Sequence, residues 1–225
     1  RVILVLYKIA MKSQSLENIV NTHSLEICDY ETLWEKMKHF TKTRNKQTID
    51  EIWFTEHPPI YTLGINADNK HLLSPDNIPV LQIDRGGQVT YHGPGQLMIY
   101  PLINLKRSNL TVRQLITSLE QSVIDLICEY GIKAYCIPNA PGVYVNQNKI
   151  ASIGLRISRG ASYHGMALNI DTDLEPFTRI NPCGFSDLKI TNLREIGISL
   201  SHDLIKSRIK KNLLGYLGMR EKQIH

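Results

Sequence analysis

From Thr111 to Tyr130 the apolar residues Val112, Leu115, Ile116, Leu119, Val123, Leu126, Ile127 and Tyr130 recur three and four positions apart, with polar residues between them. That spacing predicts an amphipathic helix with one buried stripe. Thr111 and Gln114 stand in capping-box relation, and Gly131 supplies a stop. The same pattern predicts a helix after Asp29, with Tyr30, Leu33, Trp34, Met37 and Phe40 facing inward, and another after Ser201, with Leu204, Ile205, Ile209, Leu213 and Leu217. Short runs of strand formers fill the rest: 51–55, 60–63, 80–84, 97–104, 142–145, 150–158 and 162–169. Asn146-Gln147-Asn148 reads as a hairpin turn, with Lys149 opening the return strand. Helices separated by runs of strands predict a single α+β (broadly α/β) domain, whose mixed, largely antiparallel sheet is flanked by helices.

The length of 225 residues suffices for one sizeable core, and no linker or internal repeat divides the chain. Residues 1–23 read as an N-terminal extension or a cloning remnant, and 24–225 as the domain itself. The apolar stretch Val2 to Leu6 is too short for a signal peptide, and no run approaches the roughly 20 apolar residues of a membrane span. Cys28, Cys128, Cys136 and Cys183 form no C-x-x-C pair and have no histidines at zinc spacing, so neither a metal cluster nor a disulfide framework is expected. Reduced thiols in a cytoplasm fit that pattern. A net charge of +5 and a pI near 9.0 favour an acidic partner, whether nucleic acid, anionic lipid or an acidic carrier protein. The largest basic group, Lys206, Arg208, Lys210 and Lys211, reads as the solvated face of a helix. No nucleic-acid motif accompanies it.

Candidate chemistry gathers around Arg85-Gly86-Gly87-Gln88-Val89-Thr90-Tyr91-His92-Gly93-Pro94-Gly95-Gln96. Glycine lets a backbone approach a ligand closely, and Gly93-Pro94-Gly95 marks a tight turn. The segment is not a P-loop, because Gln96 and Leu97 stand where lysine and a hydroxyl residue are needed. It is not a dinucleotide fingerprint either, because the following run, Leu97 to Leu105, is strand-forming and contains Pro101. Cys183, between Asn181-Pro182 and Gly184, is placed as a nucleophile would be. A free thiol is mostly protonated at neutral pH and needs a nearby cation or base. His57, His92, His164 and Lys149 are the candidates for that partner.

Taken together, the segment from Arg85 to Gln96, Lys149-Ile150-Ala151-Ser152-Ile153-Gly154, His164-Gly165-Met166-Ala167-Leu168-Asn169 and Asn181-Pro182-Cys183-Gly184 resemble the lipoyl(octanoyl) transferase family, also called lipoate-protein ligase B. Glu56-His57-Pro58-Pro59 and Tyr61-Thr62-Leu63-Gly64 fit the same pattern. The resemblance implies a fold shared with biotin protein ligases and lipoate-protein ligase A. It implies transfer of an octanoyl group from acyl carrier protein to a lysine of lipoyl domains, in 2-oxoacid dehydrogenase complexes and the glycine cleavage H protein. It further implies that Cys183 is the nucleophile and Lys149 its partner, with no cofactor, ATP or metal, no nucleic acid and no membrane. Arg85, Gly86, Gly87, Gln88, Val89, Thr90, Tyr91 and His92, with Ser152, Ile153, Gly154, Gly165, Met166 and Ala167, are then expected to line the acyl site. Backbone amides there would serve the oxyanion. The rivals are an ATP-dependent ligase on the same fold, which needs no cysteine nucleophile, and a noncatalytic basic binding module.

Overall fold

The computed structural model describes residues 18–182 and 187–222. Its strands are β1 (Ile19–Ser24), β2 (Asp50–Thr55), β3 (Ile60–Leu63), β4 (Val80–Gln82), β5 (Val89–His92), β6 (Gln96–Leu102), β7 (Ala134–Ile137), β8 (Ala140–Val145), β9 (Asn148–Ser158), β10 (Ala161–Asn169) and β11 (Arg220–Glu221). The helices are α1 (Tyr30–Thr43), α2 (Val112–Cys128) and α3 (His202–Leu217). Asp29, Thr111 and Ser201 cap their N-termini with side-chain oxygens, and Gly218 closes α3 in the left-handed conformation. The capping box at Thr111 and Gln114 forms as its spacing predicts.

Eight strands form one sheet in the order β11-β1-β2-β6-β10-β9-β8-β7, and β4-β3-β5 form a second. The pairs β11–β1 and β1–β2 are parallel and the rest of the large sheet is antiparallel, as expected of a mixed, largely antiparallel sheet. Strand β1 corrects the boundary drawn at residue 24. Five of its residues, Val20 to Ser24, pair with Asp50 to Phe54, so the domain includes residues assigned above to the extension.

The two-residue period of the strands sorts their side chains between two cores. Ile52, Phe54, Leu97, Ile99, Met166 and Leu168 face α2 and α3. Trp53, Met98, Tyr100 and Ala167 face the opposite way, toward Leu33 and Met37 of α1. The small sheet packs its Tyr61, Leu63, Val89 and Tyr91 against Phe177 and Ile180. Leu204 does not join the α3 stripe and is 41% exposed, while Trp34 and Phe40 are only partly buried. Strands β1, β5, β7 and β11 were not marked by the hydrophobic pattern. They are short or Gly- and polar-flanked, and, apart from β7 beside β8, their partners lie far along the chain.

Pro101 sits in a central strand without an N–H to offer. The regular pairing of β6 with β10 accordingly covers only Gln96–Ile99 against Met166–Asn169. Beyond it Ser162 bridges with its side chain, donating to Pro101 O and accepting from Ile103 N–H. Between these anchors β10 passes so close to β6 that a Cβ on Gly165 would lie 1.9 Å from Ile99 O, and His164 beside it adopts φ +55°.

Gly165→Ala is therefore expected to lower stability by more than about 3 kcal/mol or to prevent folding, since backbone and not a pliable side chain blocks the new carbon. Gly215→Ala, in α3 with nothing within 4 Å, should raise stability by about 0.5–1 kcal/mol. Urea denaturation of both variants checks the contrast.

Candidate active site

A cavity of about 180 Å³ opens on the α1 side of the large sheet, between β9, β10 and the glycine-rich segment. That volume is close to that of an apolar cavity, about 150 Å³, that takes up a six-carbon ring. Of the expected residues, Arg85, Gly86, Gly87, Gln88, Val89, Thr90, His92, Lys149, Ser152, Ile153, Gly154, Gly165 and Ala167 line it. Tyr91 and Met166 do not. Each alternates to the far side of its strand, Tyr91 onto Phe177 at 5.4 Å between ring centroids and Met166 into the core under α2. Sequence reasoning missed Tyr30, Met98, Tyr100, Asn139, Ala140 and Pro141, which also line the wall. Their only signal was the outward parity of Met98 and Tyr100 on β6. The others come from elements brought in by tertiary packing.

The glycines let backbones meet. A Cβ on Gly154 would lie 2.9 Å from Gly86 O and 3.0 Å from Arg85 Cδ, so the segment rests directly on β9. Gly86 N–H donates to Leu155 O, which commits that amide to the wall and leaves it unable to serve an oxyanion. Arg85 is buried and donates to Thr62 O at 2.7 Å, to Thr62 Oγ1 at 2.9 Å and to Gly86 O at 2.9 Å.

Below the cavity lies a net of buried rings. Tyr30 stacks on His92 with centroids 5.2 Å apart and tilts against His57 at 4.7 Å. His57 donates from Nδ1 to Cys28 O at 2.6 Å, leaving Nε2 to accept from Tyr100 Oη at 2.7 Å. His92 pairs Nδ1 with Gln96 Oε1 at 2.7 Å and Nε2 with Thr62 Oγ1 at 3.1 Å. His164 contacts Asp84 Oδ1 through Nε2 at 2.9 Å, and Asp84 also receives Trp34 Nε1–H and Tyr163 O–H. Burial opposes ionisation of Asp84, but these hydrogen bonds outweigh it and hold the carboxyl below its ordinary range. Desolvation pushes the His57 pKa down to about 4, lowers that of His92 well below the usual value with help from the Arg85 charge, and lowers that of His164 against the pull of Asp84. Burial therefore favours the neutral form of all three imidazoles.

Lys149 is the remaining candidate, and the strand geometry aims it. The β8–β9 hairpin turns through Asn146 (φ +48°) and Gln147 (φ +70°), a two-residue turn that leaves Asn148 in the strand. Its register then shifts, Val143 opposite Ala151 but Tyr144 opposite Lys149, so Ile150 is an extra residue. That bulge lets Ile150 and Ala151 both enter the core under α2 and turns Lys149 to the cavity. The residue is only 2% exposed, with Nζ 5.4 Å from the Tyr144 ring centroid. Lys149 N–H donates to Lys189 O at 2.8 Å and its carbonyl accepts from Thr191 N–H at 3.0 Å. Cys183 lies outside the described residues. Pro182 and Asp187, on either side of it in the chain, line a neighbouring hollow together with Asn148. Cys128 and Cys136 are exposed rather than packed, and Cys28 is half-buried.

The neutral histidines carry a pH signature. For His57 the folded pKa of about 4 lies below the ordinary value of 6.5, so its contribution is present above pH 6.5 and is lost as the pH falls toward 4. About 2 kcal/mol of stability should vanish between pH 6.5 and 5 from this group alone. Urea titrations at both pH values should show that loss, and His57→Gln, with no proton to take up, should show about 2 kcal/mol less of it.

The model of the lipoyl protein ligase A/B catalytic domain matches residues 29–214. An octanoyltransferase of Shewanella sp. (strain ANA-3) is 56% identical over 169 residues, covering 75% of this chain and 78% of the relative. A bi-partite lipoate protein ligase from Thermoplasma acidophilum superposes with a TM-score of 0.72 at 15% identity, over 92% of this chain and 88% of that one. The biotin protein ligase from Aquifex aeolicus, in complex with biotin and ATP, superposes with a TM-score of 0.52 at 16% identity, over 89% of this chain and 70% of that one. With a matched span that contains α1, the cavity and most of α3, the chain belongs to the lipoyl protein ligase A/B catalytic-domain family.

Proposed function

We propose that this enzyme moves an octanoyl group from an acyl carrier protein thioester onto a lysine amine of lipoyl domains, through a thioester on Cys183. The observation that carries the reading is a buried lysine, Lys149, turned by a strand bulge into the wall of an acyl-sized cavity. The identity with octanoyltransferases supports the choice of acyl group.

In the first transfer the Cys183 thiolate attacks the thioester carbonyl, and the carrier's phosphopantetheine thiolate leaves and takes up a proton. Lys149 as an ammonium stabilises the attacking thiolate and supplies that proton. In the second, the acceptor lysine amine attacks the Cys183 thioester, and Lys149 takes its proton as the amide forms and the thiolate returns. The backbone bonds from Lys149 to Lys189 and Thr191 support this pairing, because they tie the lysine to the segment that follows Asp187. The thioester is already activated, so no nucleotide is consumed. The domain for this chemistry runs from β1 to the C-terminal strand. The lining residues Arg85 to Thr90, His92, Ser152 to Gly154, Gly165 and Ala167 hold the chain.

The acceptors are lipoyl domains of 2-oxoacid dehydrogenase complexes and the glycine cleavage H protein. The net charge of +5 suits an acidic carrier as donor. No described helix is long and apolar enough to cross a membrane, and a reducing cytoplasm is the setting that keeps Cys183 free.

Incubation with octanoyl carrier protein and no ATP should add one octanoyl mass to the enzyme and then pass it to a lipoyl domain. Cys183→Ala should lose the adduct and at least about 10³-fold in turnover. Lys149→Met should slow acylation by about 10²–10⁴-fold and change its pH profile. An adduct that persists in Cys183→Ala, or transfer that requires ATP, overturns the reading in favour of a ligase.

A further inference from the structure

Helix α2 buries a stripe of leucine, valine and isoleucine, yet Glu120 is also buried on it, at 8% exposure. A buried carboxylate is costly unless hydrogen bonds hold it. Its Oε1 accepts the N–H of Gly142 on β8 at 2.9 Å. Helix α2 is thus fastened by a polar contact to β8, whose first residues Ala140 and Pro141, with Asn139 before them, wall the cavity.

Gly142 is the residue that Lys149 needs. Its φ of +137° is disfavoured for other residues, and a Cβ there would lie 2.3 Å from Ala151 O, 2.6 Å from Lys149 Cε and 3.3 Å from Nζ. The lysine stem lies against that bare Cα. The other side of the same peptide is held by Glu120.

We propose that Glu120 is a positioning residue for acyl transfer: by fixing the Gly142 N–H from the helix side, it keeps open the slot in which the Lys149 side chain lies. The role assigned to Lys149 in catalysis rests on the reading above. The slot itself does not, and the two are measured separately.

Three variants test it. Glu120→Gln keeps an acceptor oxygen for Gly142, whereas Glu120→Met keeps the volume and Glu120→Ala keeps neither. Reductive methylation with formaldehyde, mapped by mass spectrometry, reads the slot without reference to activity. Lys149 should resist it in the native enzyme and in Glu120→Gln, and become modified in Glu120→Met and Glu120→Ala. Single-turnover acylation by octanoyl carrier protein should fall about 10–100-fold in Met and Ala, as expected when a reacting group is misplaced by about an ångström. The loss should appear in the acylation rate more than in carrier KM, and Glu120→Gln should restore most of it. In the native protein the Gly142 amide should exchange its hydrogen slowly by NMR, a measurement that stands if the variants do not fold. Folded Glu120→Met with Lys149 still protected, or a fast-exchanging Gly142 amide, overturns the proposal. Protection lost with acylation unchanged would leave the slot in place and count instead against a catalytic Lys149.

Discussion

The architecture of the site depends on one crowded crossing at the centre of the sheet. Pro101 cannot donate to β10, and Gly165 of β10 passes so close to Ile99 O that no side chain fits between them. The ladder closes on either side, through Met166–Ile99 pairing and through Ser162. The interval between forces His164 into left-handed backbone conformation and presents it, with Gly165 and Ala167, to the cavity.

The floor below is polar without being charged at its imidazoles. Tyr30, Tyr100 and the three histidines bury donors and acceptors that would each cost stability if unmatched, and the network matches them in a chain of hydrogen bonds from Cys28 O through His57 to Tyr100. Burial then enforces neutrality on the imidazoles. The result is a hydrogen-bonded wall in which burial disfavours imidazolium, while Lys149 lines another side of the same cavity.

That side is built by subtraction and by a bulge. Ile150 as an extra residue turns the lysine inward, Gly142 makes the space for its stem, and Glu120 holds Gly142 from behind. A helix and the two strands of the β8–β9 hairpin therefore converge on one side chain. A displacement of any of them would be felt at that side chain, because close-packed interiors transmit strain.

The helices, the turn at Asn146-Gln147 and most strands were legible in the chain itself, since apolar periodicity, capping pairs and residues suited to positive φ act locally. The glycine-rich segment is legible as candidate chemistry by its composition, whereas Lys149 is one of four candidate partners until the resemblance of its motif singles it out. Parity could have separated Tyr91 and Met166 from the lining, but only once the strand ends were known, because a one-residue change of register exchanges the faces. Tyr30, Asn139, Ala140, Pro141 and Glu120 carried no local mark. Glu120 reads as one more polar residue beside a helical stripe until β8 supplies the N–H it faces. Likewise β1 lacked a signal until β2 paired with it. Such residues acquire their roles from partners tens to hundreds of positions away, and those contacts come into being only when the sheet and helices have packed.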